Sequence, residues 1–117
     1  MSRAELHHAA EPAAVFAALG DPTRLSLLAA LDGRERSITA LAAATRESAG
    51  IAVSRQALTK HLDVLERARL VRSRKVGRET RFEVRPDTLD EARRYLDRVA
   101  AQWDDALHRL KAFVEET

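Results

Sequence analysis

Four polar side chains open the stretch SRQALTKHLDVLERARLV, residues 54–71, and their types are those that contact the edges of DNA bases. Arg can donate two hydrogen bonds to guanine, and Gln can pair with adenine through one donor and one acceptor. Leu58, Leu62 and Leu65 recur at steps of four and three, which places them on one face of a helix. The polar residues fall on the opposite face: Arg55, Gln56, Thr59 and Lys60.

The charge of the chain is unevenly distributed. Residues 54–85 carry ten basic and four acidic side chains, a formal charge of +6, whereas the whole chain of 117 residues has +2 and the remainder therefore has −4. A basic segment within an otherwise acidic chain indicates a surface for a polyanion. The alternative is an arginine-rich solvated surface, because neighbours in sequence need not be neighbours in space.

Composition limits the class of protein. With 45% hydrophobic and 32% charged residues and this length, the chain is typical of one globular domain. Since there is no cysteine, disulfides, thiolate metal sites and a cysteine nucleophile are excluded. No window holds 18 consecutive apolar residues, and the N-terminal stretch lacks the apolar segment of a secretory signal. We expect a cytoplasmic protein that does not enter a membrane.

Two helices are predicted before residue 34. The first covers roughly Ala13 to Leu19. The second has Asp21 as N-cap, Pro22 at its first position and Gly33 just past its end. We expect its buried face to consist of Leu25, Leu28, Ala29 and Leu31.

A short helix and a loop precede the polar helix. Ser37 is a suitable N-cap for SITALAAAT, whose inward residues would be Ile38, Leu41 and Ala42. RESAGIAV, residues 46–53, is predicted as a loop. Ser54 then caps the polar helix, which should extend to about residue 67.

A β-hairpin is predicted at about residues 71–85. Val71, Phe82 and Val84 favour strands, and Gly77 can supply the positive φ that a tight turn needs. The tip and flanks of this hairpin carry four cations, which could contact phosphates: Arg74, Lys75, Arg78 and Arg81.

The last predicted helix covers about residues 87–116, with Asp87 as its cap. At 1.5 Å per residue it would be about 45 Å long, which exceeds so small a domain. Its apolar stripe therefore needs a second copy of the chain, although Trp103 could also be ordinary core against the first helix. The predicted dimer interface consists of Leu89, Leu96, Val99, Trp103, Leu107 (or Ala106), Leu110 and Val114.

The order of elements predicts a fold that is mainly α with a small β-hairpin, as in a winged helix-turn-helix domain. ALGDPTRLSLLAAL, VSRQALTKHLDVLERARLV and KVGRETRFEV resemble the ArsR family of dimeric transcriptional repressors, over roughly residues 12–85. In that family the equivalent of residues 54–67 enters the major groove, the hairpin contacts the DNA backbone, and the first and last helices make the dimer.

The resemblance implies roles for single residues. Arg55, Gln56 and Thr59 would read bases, whereas Ser54 and Lys60 would approach phosphates. His61 holds the family's usual His position, where half-buried packing and a DNA contact are both open.

Three departures from the family pattern matter. Some metal sensors of the family use a cysteine pair on the short helix, and this chain has no cysteine. Others use Asp and His on the last helix, and the last helix of this chain has a single histidine, His108. We therefore expect no metal or other cofactor. The second departure is RESAGIA, which lengthens the turn before the polar helix by about six residues. The third is Arg69, at a position where the family usually has Gly. If the backbone of Arg69 is left-handed, the steric strain costs about 1 kcal/mol.

These observations predict a regulator that binds double-stranded DNA sequence-specifically, as a homodimeric repressor on a (pseudo)palindromic operator. The alternative is a winged helix used only for protein contacts, without DNA binding. An enzyme is not expected, because no glycine-rich phosphate loop, nucleophile motif or metal-ligand cluster is present. The sequence does not indicate an inducer.

Overall fold

The computed structural model describes residues 10–50 and 52–116. Within these ranges lie five helices and three strands. In chain order they are α1 (Pro12–Leu19), α2 (Pro22–Leu31), β1 (Arg36–Ser37), α3 (Ile38–Ala49), α4 (Arg55–Arg67), β2 (Val71–Val76), β3 (Glu79–Val84) and α5 (Pro86–Glu116). The predicted fold class, mainly helical with a small hairpin, is confirmed.

The core lies where α1 to α4 meet the base of the sheet. α2 packs on α1, α3, α4 and β3, so that it is the central element of this body. The core residues are almost all aliphatic: Val15, Ala18, Leu27, Leu31, Leu41, Leu58, Leu62, Leu65, Ala68, Leu70, Val71 and Phe82. We use "the body" for residues 12–85, which contain this core.

The buried face of α2 differs from the predicted one. Leu27 and Leu31 are fully buried, whereas Leu25 is 50% exposed and Ala29 is exposed. The prediction was wrong for Leu25 and Ala29. Because nearly every position in the second half of α2 is apolar, periodicity does not select one face, and the contacts with α3 and α4 decide it.

Helix α3 is longer than predicted. It continues to Ala49 and ends at Gly50, whose φ is 64°, so that half of the predicted loop is helical. The Ser48 hydroxyl donates to the Ala44 carbonyl (2.8 Å), as the Thr45 hydroxyl does to Leu41 (2.7 Å). The extra residues therefore lengthen the helix, and the turn before α4 stays short.

The sheet has three antiparallel strands in the order β1-β3-β2. Val76 pairs with Glu79, so that Gly77 and Arg78 alone form the hairpin turn. Gly77 has a φ of 64°, which a tight hairpin turn requires at this position. β1 was not predicted, because two residues are too few to show an alternating pattern.

Helix α4 ends in a Schellman motif. The Leu70 amide donates to the Leu65 carbonyl (2.9 Å) and the Arg69 amide to the Glu66 carbonyl (3.0 Å). Arg69 has a φ of 62°, so that its backbone adopts the left-handed conformation that the sequence left open. A non-glycine residue in this conformation carries a steric cost of about 1 kcal/mol. Burial of both Leu65 and Leu70 accompanies the motif.

Helix α5 is attached to the body by its first turns. Thr88 is buried, Ala92 packs against the core, and the ring of Tyr95 lies 5.7 Å from that of Phe16 in α1. With 31 residues the helix is about 46 Å long. It gives the described chain its longest extent of 68 Å.

Candidate nucleic-acid interface

Helix α4 presents its polar face to solvent because its leucines anchor the opposite face. Leu58, Leu62 and Leu65 are buried against the body. The Ser54 hydroxyl caps the helix by accepting a hydrogen bond from the Ala57 amide (3.1 Å). Four of the residues predicted to contact DNA are exposed and line one open depression: Arg55, Gln56, Thr59 and Lys60.

The polar face of α4 is rich in hydrogen-bond donors. Among the described residues, neither Arg55 nor Lys60 forms an ion pair, so both cations are available to an anion or a base. The Thr59 hydroxyl donates to the Arg55 carbonyl (2.8 Å), which leaves its oxygen as an acceptor. Gln56 adds an amide that can donate and accept.

His61 lies inside the fold rather than on this face. Its Nδ1 is 3.3 Å from Nη1 of Arg24 and 3.8 Å from a carboxylate oxygen of Asp21. The ring is half-buried, as the packing alternative expects, and a contact with DNA stays a prediction.

Arg24 joins α4 to the end of α1, which the sequence analysis missed. Its Nε donates to the Ala18 carbonyl (2.6 Å) and its Nη2 to the Ala17 carbonyl (3.3 Å), where α1 ends. The Arg24 amide also donates to the Asp21 carboxylate (3.0 Å), and this hydrogen bond is the main cause that lowers the pKa of Asp21. The sequence signal for this residue was local: Arg24 lies three residues after the N-cap Asp21, where its amide can donate to the capping side chain.

The tip of the hairpin lies beside the start of α4. Arg78, in the turn, and Arg55 line a second depression, together with residues at the N-terminus of α3. We call residues 71–84 the wing. Lys75 and Arg78 are exposed, and neither forms an ion pair in the described part of the chain.

The other two predicted cations of the wing are paired. Arg74 donates to both carboxylate oxygens of Glu35, at 2.7 Å and 3.0 Å, and Nη1 of Arg81 lies 3.7 Å from the same carboxylate. Arg81 also pairs with Glu79 at 3.1 Å. The sequence analysis missed Glu35, because no local pattern links it to residues about forty positions away.

The residues predicted to form a dimer interface lie along α5. Six of them are exposed to between 37% and 66%, and Val99 is half-buried: Leu89, Leu96, Val99, Trp103, Leu107, Leu110 and Val114. Phe113 is also exposed. Trp103, at 66% exposure, is not core in this chain, which excludes its packing against α1 here.

Metal-binding groups are scarce in the described ranges 10–50 and 52–116. No group of three or more His, Cys, Asp or Glu side chains could hold a metal ion there. His108 places Nδ1 2.8 Å from the Asp104 carbonyl within its own helix.

No single helix in these ranges is long and apolar enough to cross a membrane, although α1 and α2, which meet at 95°, pass that test as a bent pair.

The fold and this surface define a winged helix-turn-helix protein: two packed helices, the second with an exposed polar face, followed by a basic hairpin. Residues 19–74 match the helix-turn-helix domain family. The chain is also 39% identical to an ArsR-like transcriptional regulator from a Rhodococcus species, with a TM-score of 0.72 over 87% of this chain and 91% of that one. This chain belongs to the ArsR family of winged helix-turn-helix transcriptional regulators.

Two further proteins are similar to parts of this chain. A transcriptional repressor SmtB homolog of a Synechocystis species is 41% identical over 62% of this chain, a match that spans about half of that protein. A winged helix-turn-helix DNA-binding domain of Mycobacterium bovis, described as homodimeric, is 26% identical, with a TM-score of 0.55 over 81% of this chain and 80% of that one.

Proposed function

We propose that this chain is a sequence-specific DNA-binding repressor that acts as a homodimer on a (pseudo)palindromic operator. The observation that carries the proposal is the exposed donor face at the start of α4, where two unpaired cations flank Gln56 and Thr59. An α-helix fits the major groove, and side chains of its N-terminal half reach base edges there. Arg55, Gln56 and Thr59 are proposed to read bases.

Phosphate contacts are assigned to cations around this face. The cations are Lys60 on α4 and Lys75 and Arg78 on the wing, and the neutral Ser54 at the N-cap of α4 is proposed to approach a phosphate as well. Cations in contact with phosphates fix the orientation of the protein on the duplex without reading its sequence. Arg78 supports this role best, because it shares a depression with Arg55 and would therefore reach the same stretch of backbone.

The dimer is proposed from α5. Its exposed apolar stripe continues for several turns beyond the contact with α1, and burial of such a stripe requires a partner. The M. bovis domain that resembles this chain is homodimeric, which supports a second copy as that partner. A two-fold dimer presents two equivalent recognition helices, so that half-sites should lie one helical turn apart or a multiple of it.

The experiment is selection of bound sequences from random DNA, followed by titration of the selected operator with variants. Gln56→Ala should cost about 1–3 kcal/mol on the operator and relax the preference at particular base pairs. Arg78→Ala should weaken binding to operator and random duplex alike and lower the salt slope by roughly one unit per lost phosphate contact. In a dimer both losses occur twice.

Arg109→Ala is the matched control, because it removes a cation from the polar side of α5, far from the wing and α4. It should change neither affinity nor base preference. If Arg78→Ala altered base preference while Gln56→Ala left it unchanged, the assignment of reading helix and phosphate-binding wing would be wrong. If no duplex bound at low salt, the chain would be a module for protein contacts.

A further inference from the structure

Glu35 joins the wing to the segment between α2 and β1 through two arginines. It stands one residue before β1, on the segment that leaves α2, and its side chain is only 18% exposed. Its carboxylate receives two hydrogen bonds from Arg74, at 2.7 Å and 3.0 Å, and lies 3.7 Å from Arg81. Both arginines belong to the wing, one to each strand.

The strand register explains why these arginines need a carboxylate. Arg74 and Arg81 are directly opposite each other in the β2–β3 pair. Like charges at such positions repel and destabilise the pairing. Glu35 removes this repulsion, and the hydrogen bonds from Arg74 are the main cause that holds the pKa of its carboxyl below the ordinary value.

The wing therefore contains two kinds of cation. Lys75 and Arg78 have no ion pair among the described residues, whereas Arg74 and Arg81 are held by Glu35. The held pair lies on the sheet face opposite Phe82, whose ring is buried against the core. An arginine held in such an ion pair has its charge largely neutralised, which weakens its attraction to a phosphate.

We propose that Glu35 is a specificity-determining residue: it keeps Arg74 and Arg81 from phosphates of random DNA. The inference rests on the proposed DNA-binding function. Binding to random DNA depends on phosphate contacts alone, so that two released arginines would strengthen it directly. Binding to the operator also depends on base contacts by α4, which hold the protein in one register, so that the released arginines gain less there than on random DNA.

The test compares Glu35→Gln with the wild-type chain on the selected operator and on a random duplex of equal length, by fluorescence anisotropy at several KCl concentrations. Glu47→Gln is the matched control, because it removes the same charge from an exposed position with no ion pair in the described ranges. We expect Glu35→Gln to bind random DNA roughly three- to tenfold more tightly near 0.1 M salt, with a steeper salt slope, and to discriminate less.

A triple variant, E35Q with R74Q and R81Q, identifies the source of the gain. If the released arginines make the new contacts, the triple variant returns to the random-DNA affinity of the wild type or below it. The inference would be overturned if the gain were below about twofold, if Glu47→Gln showed the same gain, or if the triple variant kept it. A wild-type chain that binds neither duplex would instead overturn the proposed function itself.

Discussion

The body and α5 use the same kind of apolar residue in opposite ways. In the body, leucines such as Leu27, Leu58 and Leu62 are buried by other residues of the same chain. Along α5, leucines such as Leu96, Leu107 and Leu110 are more than half exposed. The body is therefore a unit that one chain completes, whereas the apolar stripe of α5 is left exposed within one chain.

Ion pairs within α5 add too little stability to replace the packing that its exposed apolar stripe lacks. Ion pairs four residues apart join Arg94 to Asp90 (3.3 Å) and Lys111 to Glu115 (3.9 Å). Each such pair stabilises a helix by only about 0.2–0.5 kcal/mol. Most of the stability of a helix in a protein comes from the packing of its apolar face. In the distal half of α5, Leu107 and Leu110 are more than half exposed.

The largest expected effect is on the free energy of unfolding, and it differs between the same Leu→Ala truncation made in the body and made on α5. Leu62→Ala leaves a cavity in the body and should lower the free energy of unfolding by about 2–5 kcal/mol, independently of protein concentration. Leu96→Ala removes the same atoms from an exposed position of α5. Its effect should be smaller and should depend on protein concentration, since it acts through the dimer. Urea denaturation at two protein concentrations checks both, and equal losses would contradict the division into body and α5.

A charge placed in the stripe should separate the dimer while the body stays folded. Leu107→Asp buries two unpaired carboxylates across a two-fold interface, so that the dissociation constant should rise at least about a hundredfold. Analytical ultracentrifugation measures it, and circular dichroism shows whether the body remains helical. Asp105→Ala, on the opposite side of the helix, is the control and should leave the dimer intact. A Leu107→Asp variant that stayed dimeric would place the interface elsewhere.

A smaller effect is expected at the junction between α4 and the wing. Arg69 is left-handed, and glycine adopts that conformation without the steric cost of a Cβ. Arg69→Gly should therefore be more stable than Arg69→Ala by about 1 kcal/mol, since both variants lack the arginine side chain. Thermal unfolding of the two variants checks this difference. Equal stabilities would mean that the strain is absent.

The smallest expected effect is the pH dependence of the cap of α2. The pKa of Asp21 is lowered below its ordinary value of 3.8, mainly by the hydrogen bond from the Arg24 amide. Its contribution to stability is thus fully present above pH 3.8 and is lost as the pH falls through the lowered value. Asp21→Ala should be less stable than the wild type at pH 7, and the two should converge in acid. Asp21→Asn keeps the capping group and should lose less.

Features that depend on neighbouring residues could be predicted from the sequence. The side chains of Asp21, Ser37 and Ser54 cap α2, α3 and α4 as expected, because an N-cap acts within three residues. The three leucines of α4 are buried as their spacing indicated. Gly77 forms the hairpin turn for an equally local reason, the positive φ that glycine tolerates.

Features that depend on distant contacts could not be predicted. The side of α2 that is buried is decided by α3 and α4, since its own sequence is apolar on several sides. β1 exists because Arg36 and Ser37 pair with β3. The spacing of the leucines predicted which face of α4 is polar and exposed, and the structure has that face exposed. The pairing of wing arginines with Glu35 depends on tertiary proximity and has no local signal.

The strand order β1-β3-β2 leaves one long side of the wing without a neighbour. β2 is the outer strand, so that alternate backbone amides and carbonyls from Val71 to Val76 face away from the sheet. Such an edge invites pairing with the same strand of another molecule, and charged side chains are a common protection against it. Arg72, Arg74 and Lys75 give β2 three cations in six residues. We therefore expect the residues that give the wing its charge also to oppose strand-to-strand aggregation of this protein in concentrated solution.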